Sequence, residues 1–495
     1  MKKTNNLRFL LSPWIPNAPT CFFNNIQLDS RQVIKGDLFV AILGHFKDGR
    51  NFISEAISNG AIAVIAESTG KYPHGQISSI CGIPIIYLLE LNKKLSTLAK
   101  IFYKHPGKNQ TIIGVTGTNG KTTITQLLAQ WVKLLGKNSA IIGTMGYGLL
   151  ENLQKTKNTT ESAIDMQRIL HILDNNNINT TAIEISSHAL VQHRVADITF
   201  SAGVFTNLSH DHLDYHNEMD IYESAKWSFF SKHIVNQIII NADDAIGFKW
   251  LTKLPNAVSV SLDQKNYEIN LNRRWLKATR LDFFRLGVNI YFNSSWGCGK
   301  ITSNLIGDFN ISNLLLALTT LLTLNYSLSS LLDVSSKLRP VSGRMELFVK
   351  KGKPKIIVDY AHTPAALKQA LITARQYCKG KLWCIFGCGG ERDRNKRPIM
   401  ASIAEKLADI VIITEDNPRN ESQTEINNNI LSGFTDLNFV HVIDKRTKAI
   451  NKSIKEAQLN DLILIAGKGH EDYQIIGNNY IPYSDCAIVK SLLEI

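Results

Sequence analysis

The chain has 495 residues, 44% of them hydrophobic and 20% charged, with 55 Lys and Arg against 42 Asp and Glu for a formal net charge of +13. At roughly 100–200 residues per domain this length predicts about three domains, each large enough to bury its own core. The apolar fraction excludes a disordered chain, and 31 Gly with 13 Pro exclude a collagen-like one. Basic residues are scattered from Lys2 to Lys490 instead of massed in a stripe, which reads as a solvated surface rather than a nucleic-acid groove and suits an anionic small substrate. Seven cysteines with no Cys-x-x-Cys pair argue for a reducing compartment and against a disulfide framework or zinc knuckle. The first apolar stretch is interrupted by Arg8, Ser12 and Pro13, and Leu314–Leu324 is broken by Thr319, Thr320 and Thr323, so neither reads as a signal or a membrane span. The expectation is a cytoplasmic protein, with no membrane insertion and no nucleic-acid partner.

Up to residue 108, Leu38–Leu43, Ala61–Ala66 and Ile83–Leu89 read as strands, with helices over Asn51–Ser58 and Leu91–Tyr103. His105-Pro106-Gly107 reads as a linker, because Pro disfavours helix in the residue before it and Gly frees the turn after it. Thr111–Thr116 is then a β-branched strand, Thr122–Leu135 is helical in period, and Ala140–Thr144, Thr181–Ile185, Gly203–Thr206 and Gln237–Ile240 follow as strands. Such alternation implies a parallel sheet with crossover helices. The region Leu314–Leu332 reads as helical, with a boundary near Lys337–Pro340. Beyond it Lys355–Tyr360, Leu382–Phe386, Ile410–Thr414 and Leu462–Ala466 each end in a polar or glycine-rich segment: AHTP, GCGGERDR, EDNPRN and GKGHED. Ligands of open α/β sheets sit outside the carboxyl ends of the strands, so the four segments are candidates for one rim. The expected domains are 1–108, 109–337 and 338–495.

The strongest chemical signal is Gly117-Thr118-Asn119-Gly120-Lys121-Thr122-Thr123, after a strand and opening a helix. Glycines let the backbone wrap a phosphate, the helix N-terminus favours negative charge, Lys121 supplies a cation to the β/γ-phosphates, and the Thr122 hydroxyl can ligate Mg²⁺. The spacing is a shorter variant of the standard phosphate loop, since Val115 stands where the first Gly would be. The run His210-x-His212-x-Asp214-x-His216 has the look of a di-metal hydrolase motif, and taken alone it fits that site or a polar turn equally well. Beside a phosphate loop the hydrolase reading recedes.

GTNGKTT, with Asn158-Thr159-Thr160, EISSH at Glu184–His188, HDHLDYH at His210–His216 and Ala225-Lys226-Trp227, resembles the Mur ligases, ATP-dependent amide-forming enzymes of peptidoglycan precursor synthesis. The resemblance runs nearly end to end, from Leu28-Asp29-Ser30-Arg31 to Tyr483-Ser484-Asp485, and is strongest to the branch adding the third residue of the peptide. It implies an α/β fold of three domains: a smaller N-terminal domain that binds UDP, a central ATP-binding domain on a P-loop-type parallel sheet, and a Rossmann-like C-terminal domain for the incoming amino acid. It implies ATP as co-substrate and two Mg²⁺ ions, held by Thr122, Glu184, His212 and Lys226, the last as a carbamate formed with CO₂. Lys121, Lys226 and His212 are then the catalytic residues. On composition alone Lys226 would be an ordinary solvated lysine, and Trp227 and Phe229 are compatible with a dry site around it.

By the same resemblance Leu28, Ser30, His45, Phe46 and Lys47 hold the uridine and diphosphate, and Asn158, Thr159, Thr160, Ser186, Gln192 and Arg194 contact the muramoyl-peptide, with Glu161 standing where small residues are common. Asn310, Arg344 and Asp359 lie on the adenosine side. Asp416-Asn417-Pro418-Arg419, with Arg392, Gly467 and Glu471, forms the amino-acid pocket. Lysine and meso-diaminopimelate differ by one terminal carboxylate, which Arg419 can pair bidentately, while Glu471 takes the ammonium of the same stereocentre. The expected reaction is addition of meso-diaminopimelate to UDP-N-acetylmuramoyl-L-alanyl-D-glutamate through an acyl phosphate, by a monomer. The alternatives are the same reaction with L-lysine, folylpolyglutamate synthesis, a metal-dependent hydrolase, and an ATP-driven nucleic-acid protein.

Overall fold

The structure is a computed structural model that describes residues 5–44, 47–262, 273–284 and 287–495. Its contacts divide the chain into two compact units, one of residues 1–114, 138–201 and 225–236, the other of residues 115–137, 202–224 and 237–495.

In the first unit the three expected strands form a sheet with two that the sequence did not mark, Ile26–Gln27 and Ile77–Ile80, in the order Ile26–Gln27, Leu38–Ala41, Ala63–Glu67, Ile83–Leu88, Ile77–Ile80. The middle strands are continuous apolar runs because both faces are covered, as parallel strands require. Only the edge strand Ile77–Ile80 is antiparallel, and it is largely exposed. Helix Leu91–Phe102 buries Leu91, Leu95, Leu98, Ala99 and Phe102, one stripe at helical spacing, against Leu7, Leu10 and Leu38. Its start lacks a side-chain cap of its own. The Glu67 carboxylate substitutes, accepting the N–H groups of Glu90 and Leu91 at 2.8 Å each. Later in this unit Thr180–Ile185 pairs in parallel with Ser139–Gly143, which turns back antiparallel through Gly146–Gly148.

The second unit takes up the end of strand Thr111–Thr116, from Val115, and continues into the glycine loop and helix Lys121–Leu134. Strands Val235–Asn241, Val258–Ser261 and the start of Trp275–Phe284 pair in parallel, but Trp275–Phe284, Gly287–Ser294 and Gly297–Ser303 continue as an antiparallel meander. The purely parallel alternation expected from the sequence stops there. Its burial alternates along Gly287–Ser294, the mark of a sheet with one wet face. The helical region expected over Leu314–Leu332 is two helices, Asp308–Thr323 and Leu328–Ser335, separated at Asn325, whose φ is +67°. Thr319, Thr320 and Thr323 are buried in the first, and their hydroxyls donate to the carbonyls of Leu315, Leu316 and Thr319 at 2.8, 2.7 and 2.7 Å. That back-bonding lets three polar residues sit in an apolar helix.

The last sheet has the order Glu346–Phe348, Lys355–Asp359, Leu462–Ala466, Leu382–Phe386, Ile410–Ile413, Val440–Val442, antiparallel only at its first pair. In register Asp359 faces Ala466, Ile385 faces Ile465 and Phe386 faces Ile413. The four predicted strands therefore end at one level, and AHTP, GCGGERDR, EDNPRN and GKGHED share one rim. Just behind it the fully buried Arg446 binds both oxygens of the fully buried Asp485 at 2.9 and 2.8 Å and donates to the carbonyl of Ala466 at 2.8 Å.

Candidate active site

The glycine loop has the conformation its sequence demands. Gly117 sits at φ +143°, and a Cβ there would lie 1.8 Å from Thr206 Oγ1; Gly120 sits at φ +87°, and a Cβ would lie 2.4 Å from Asn313 Oδ1. Lys121 folds back over the loop, its ammonium donating to the carbonyls of Gly117 and Thr118 at 2.9 and 2.8 Å. The loop is braced from the segment after Phe205: Asn207 Oδ1 accepts from Asn119 N at 3.0 Å, Thr206 Oγ1 donates to Asn119 O at 2.6 Å, and Thr118 Oγ1 lies 3.1 Å from Tyr222 OH. Thr122 Oγ1 accepts from Arg344 at 3.2 Å.

A cavity of about 460 Å³ opens beside this loop, lined by Asn119, Gly120 and Thr123 and by Asn310, Arg344 and Asp359. The loop and the three residues expected on the adenosine side thus share one cavity. Arg344 stacks over the Tyr360 ring at 4.4 Å, which fixes its guanidinium plane. Asp359 accepts from Met345 N at 2.7 Å, yet burial lifts its carboxyl to about 6 against the pull of Arg344 and the backbone N–H groups. Burial, reinforced by Lys396, lowers His362 to about 4, so this ring is neutral at working pH. Asp211 is held below the usual carboxylate range: burial opposes ionisation, and His212, His362 and Lys121 overcome it.

On the rim, Arg419 sits at φ +54° and is pinned through its backbone, donating from N to Ile475 O at 3.1 Å and accepting from Gly477 N at 2.9 Å. Its Nη1 donates to the carbonyls of Gly390 at 2.9 Å and Asn417 at 3.4 Å. Arg392 and Arg419 both border Gly389, where a Cβ would lie 3.7 Å from Arg392 Cγ and 3.1 Å from Arg419 Nη1. Asn417 Nδ2 donates to Glu471 Oε2 at 2.9 Å, and a Cβ on Gly467 would meet Asp416 Oδ2 at 2.6 Å. Hydrogen bonds thus link Arg419, Asn417 and Glu471 of the expected amino-acid pocket, Arg392 borders the same glycine as Arg419, Gly467 lies against Asp416, and Pro418 lies between Asn417 and Arg419.

In the first unit Glu184 is buried beneath Thr144, whose N–H and hydroxyl donate to its two oxygens at 3.0 and 3.1 Å. Thr159 Oγ1 is 3.1 Å from Thr144 Oγ1, Thr160 Oγ1 donates to Glu184 O at 2.7 Å and accepts from Ser186 N at 3.0 Å, and Arg194 binds Thr160 O at 2.5 Å and Gln192 Oε1 at 2.7 Å. Glu161 closes this loop on itself, its carboxylate accepting the N–H groups of Lys157 and Asn158 and the Asn158 amide. The Ser30 hydroxyl donates to Glu55 at 2.7 Å, Leu28 packs on the N-terminal core, and Lys47 accepts from Gly44 N at 3.0 Å. His45 and Phe46 lie outside the described residues. Lys226 is 1% exposed, with Phe229 also buried. A lysine at that depth is retained by pairing or by chemistry that changes its charge, which fits a carbamate, and Glu184 offers a buried carboxylate. In the second unit His212 sits at φ +54° with its side chain 43% exposed and Nε2 3.5 Å from Asp211, so it can turn a ring nitrogen outward. His216 is 3% exposed and packs on the Tyr215 and Tyr222 rings at 4.9 and 5.1 Å, a core position that does not suit the hydrolase motif.

Family models match the chain in succession: Mur ligase family, catalytic domain, over residues 23–103; Mur ligase middle domain over 115–321; and Mur ligase, glutamate ligase domain over 343–469. A UDP-N-acetylmuramoyl-L-alanyl-D-glutamate--2,6-diaminopimelate ligase of Buchnera aphidicola subsp. Schizaphis graminum (strain Sg) is 50% identical over 493 residues, 99% of each chain. The chain belongs to the Mur ligase family. Among solved structures, a ligase of the same name is 32% identical, with a TM-score of 0.69, over 100% of this chain and 99% of that one. Folylpolyglutamate synthase of Mycobacterium tuberculosis, with ADP and AMPPCP, is 14% identical over 76% of this chain and 92% of that one, with a TM-score of 0.61, a likeness of fold alone. This Mur ligase has the three-domain α/β architecture of its neighbours.

Several site residues of this Mur ligase carry no local motif. Asn313 packs on Gly120 and donates to Asn310 at 3.4 Å; it stands in the polar first turns of a helix whose middle is apolar. Lys468 is completely buried behind Asn417 and Glu471. Arg397 clasps Glu421 with two bonds of 2.6 and 2.8 Å and reaches Gly389 O at 3.3 Å, so it braces the loop that holds Arg419.

Proposed function

We propose that this Mur ligase adds meso-2,6-diaminopimelate to UDP-N-acetylmuramoyl-L-alanyl-D-glutamate with hydrolysis of ATP to ADP and phosphate, in cytoplasmic peptidoglycan precursor synthesis, acting as a monomer. No helix among the described residues is long and apolar enough to cross a membrane. The observation that carries the reading is Arg419 pinned on the rim and linked through Asn417 to Glu471: a fixed cation and a carboxylate matched to the carboxylate and ammonium of one amino-acid stereocentre. Lysine has no such carboxylate and would leave Arg419 without its ligand partner.

The side-chain carboxylate of D-glutamate attacks the γ-phosphorus of ATP, and the bond to the β-bridging oxygen breaks to release ADP and form an acyl phosphate. The diaminopimelate amine then attacks the acyl carbon, loses a proton, and the tetrahedral intermediate expels phosphate to leave the amide. Gly117–Thr123 cradle the phosphates and Lys121 neutralises charge that grows on them. Asn310, Arg344 and Asp359 hold the adenosine side. Leu28, Ser30, His45, Phe46 and Lys47 take the UDP end, and Asn158, Thr159, Thr160, Ser186, Gln192 and Arg194 take the muramoyl-peptide. Arg392, Asp416, Asn417, Pro418, Arg419, Gly467 and Glu471 orient diaminopimelate, and positioning of three anionic reactants is the main source of rate. Thr122, Glu184, His212 and Lys226 as carbamate are the residues that would hold two Mg²⁺ ions, which when bound supply further neutralisation of the phosphate oxygens. The domains assigned to these tasks are 1–108, 109–337 and 338–495. The test is phosphate release in the presence of the UDP-dipeptide and ATP, with diaminopimelate and lysine offered in turn.

A further inference from the structure

Lys468 stands between two glycines that the backbone cannot replace. Gly467 has φ +119° and Gly469 φ +51°, and a Cβ on Gly469 would lie 2.5 Å from Gly343 O. The two turns drive the lysine side chain inward, where it is 0% exposed and its ammonium lies 5.7 and 5.8 Å from the Tyr473 and Tyr483 rings. There it donates to Asn417 Oδ1 at 3.0 Å and to Glu471 Oε2 at 2.7 Å.

These two bonds decide how the neighbours face. Asn417 Oδ1 also accepts from Ile475 N at 3.0 Å, so two donors fix which end of the amide is oxygen, and Nδ2 must point at Glu471. Glu471 Oε2 is then taken by both Lys468 and Asn417, whereas Oε1 has the Tyr360 hydroxyl at 3.4 Å, a long contact. One carboxylate oxygen thus carries two protein donors at 2.9 and 2.7 Å, and the other carries the long Tyr360 contact. The buried ammonium also places a positive charge 2.7 Å from the Glu471 carboxylate.

We propose that Lys468 is a positioning residue for the amino-acid substrate: it locks Glu471 and Asn417 so that Glu471 Oε1 receives the substrate ammonium, and it acts through Glu471 without touching the substrate. This rests on the reading of the rim as the diaminopimelate pocket. The experiment is a double-mutant cycle of K468M, E471Q and K468M/E471Q, with R419A as a separate control of the pocket, reading KM for diaminopimelate, KM for ATP, kcat and the melting temperature. K468M raises KM for diaminopimelate tenfold or more and leaves KM for ATP within twofold. The double variant is no worse than E471Q alone, because the role of Lys468 ends with Glu471. K468Q, which retains a donor to Asn417 but not the charge, gives an intermediate KM and covers the case in which K468M does not fold. Losses that multiply in the double variant, or an unchanged KM for diaminopimelate in K468M or K468Q, overturn the role of Lys468 while leaving the pocket standing. If R419A and E471Q also leave diaminopimelate turnover intact, the pocket reading fails and the proposal fails with it.

Discussion

Asp485→Asn removes one charge from the pair behind the rim and keeps its shape. Arg446 and Asp485 are both 0% exposed and joined by bonds of 2.9 and 2.8 Å; burial is the largest single influence on the guanidinium, and the charge and then the hydrogen bonds of Asp485 are the main influences that oppose it. Breaking such a pair leaves an uncompensated cation in the interior, a cost of roughly 3–5 kcal/mol. For a cooperative unit of about 150 residues, each kcal/mol moves the melting temperature by about 2–4 °C, so a drop of about 6–20 °C is expected in calorimetry of the full chain. The apolar double variant R446M/D485L recovers much of it, short of about 1 kcal/mol for the Ala466 carbonyl that Arg446 now caps. A melting temperature for D485N within about 2 °C of the parent would refute the argument that the charge itself, and not its shape, is what the core needs.

Two further outcomes follow from the site. Asp359 is raised to about 6 by burial, so its ionised form, the form able to accept from ribose hydroxyls, is lost as pH falls through that value. KM for ATP therefore rises below about pH 6, His362 contributing nothing there because it titrates at about 4, and D359N flattens the profile; a constant KM for ATP from about pH 8 to 5.5 contradicts this. The sign for stability is opposite to that of a salt-bridged carboxylate: the buried charge costs most above pH 6 and nothing once both states are protonated. Glu421→Gln loosens the clasp that holds Gly389 and Gly390 under Arg419, so KM for diaminopimelate rises by a factor of about 5–30, the equivalent of about 1–2 kcal/mol, while KM for ATP stays put. The hydrogen bonds from Arg397 hold Glu421 at about 2, so this clasp is present above the ordinary carboxylate range and is lost only as pH falls toward that value.

The glycine loop and the strand ends were legible because each rests on local spacing: a β-branched run, glycines at forced backbone angles, and polar segments after strands; the roles given to Asp416–Arg419 came from the family resemblance instead. Residues 275–303 were not, since a meander with one wet face and few turn signals lacks the apolar runs that marked the parallel strands. The break at Asn325 was hidden because leucines continue on both sides of it. Lys468, Arg397 and Arg446 read as surface cations until their partners were in place, and those partners lie three, 24 and 39 residues away. A charged residue's burial is a property of the fold, and only Lys468, set in a Gly-Lys-Gly turn, had a local sign of it.

The most direct test is phosphate release by the purified enzyme with ATP and UDP-N-acetylmuramoyl-L-alanyl-D-glutamate, offered meso-diaminopimelate or L-lysine. Release that depends on the UDP-dipeptide and on diaminopimelate, with lysine slower by about 10²-fold or more, is what a pinned Arg419 predicts. Equal or faster release with lysine would contradict it.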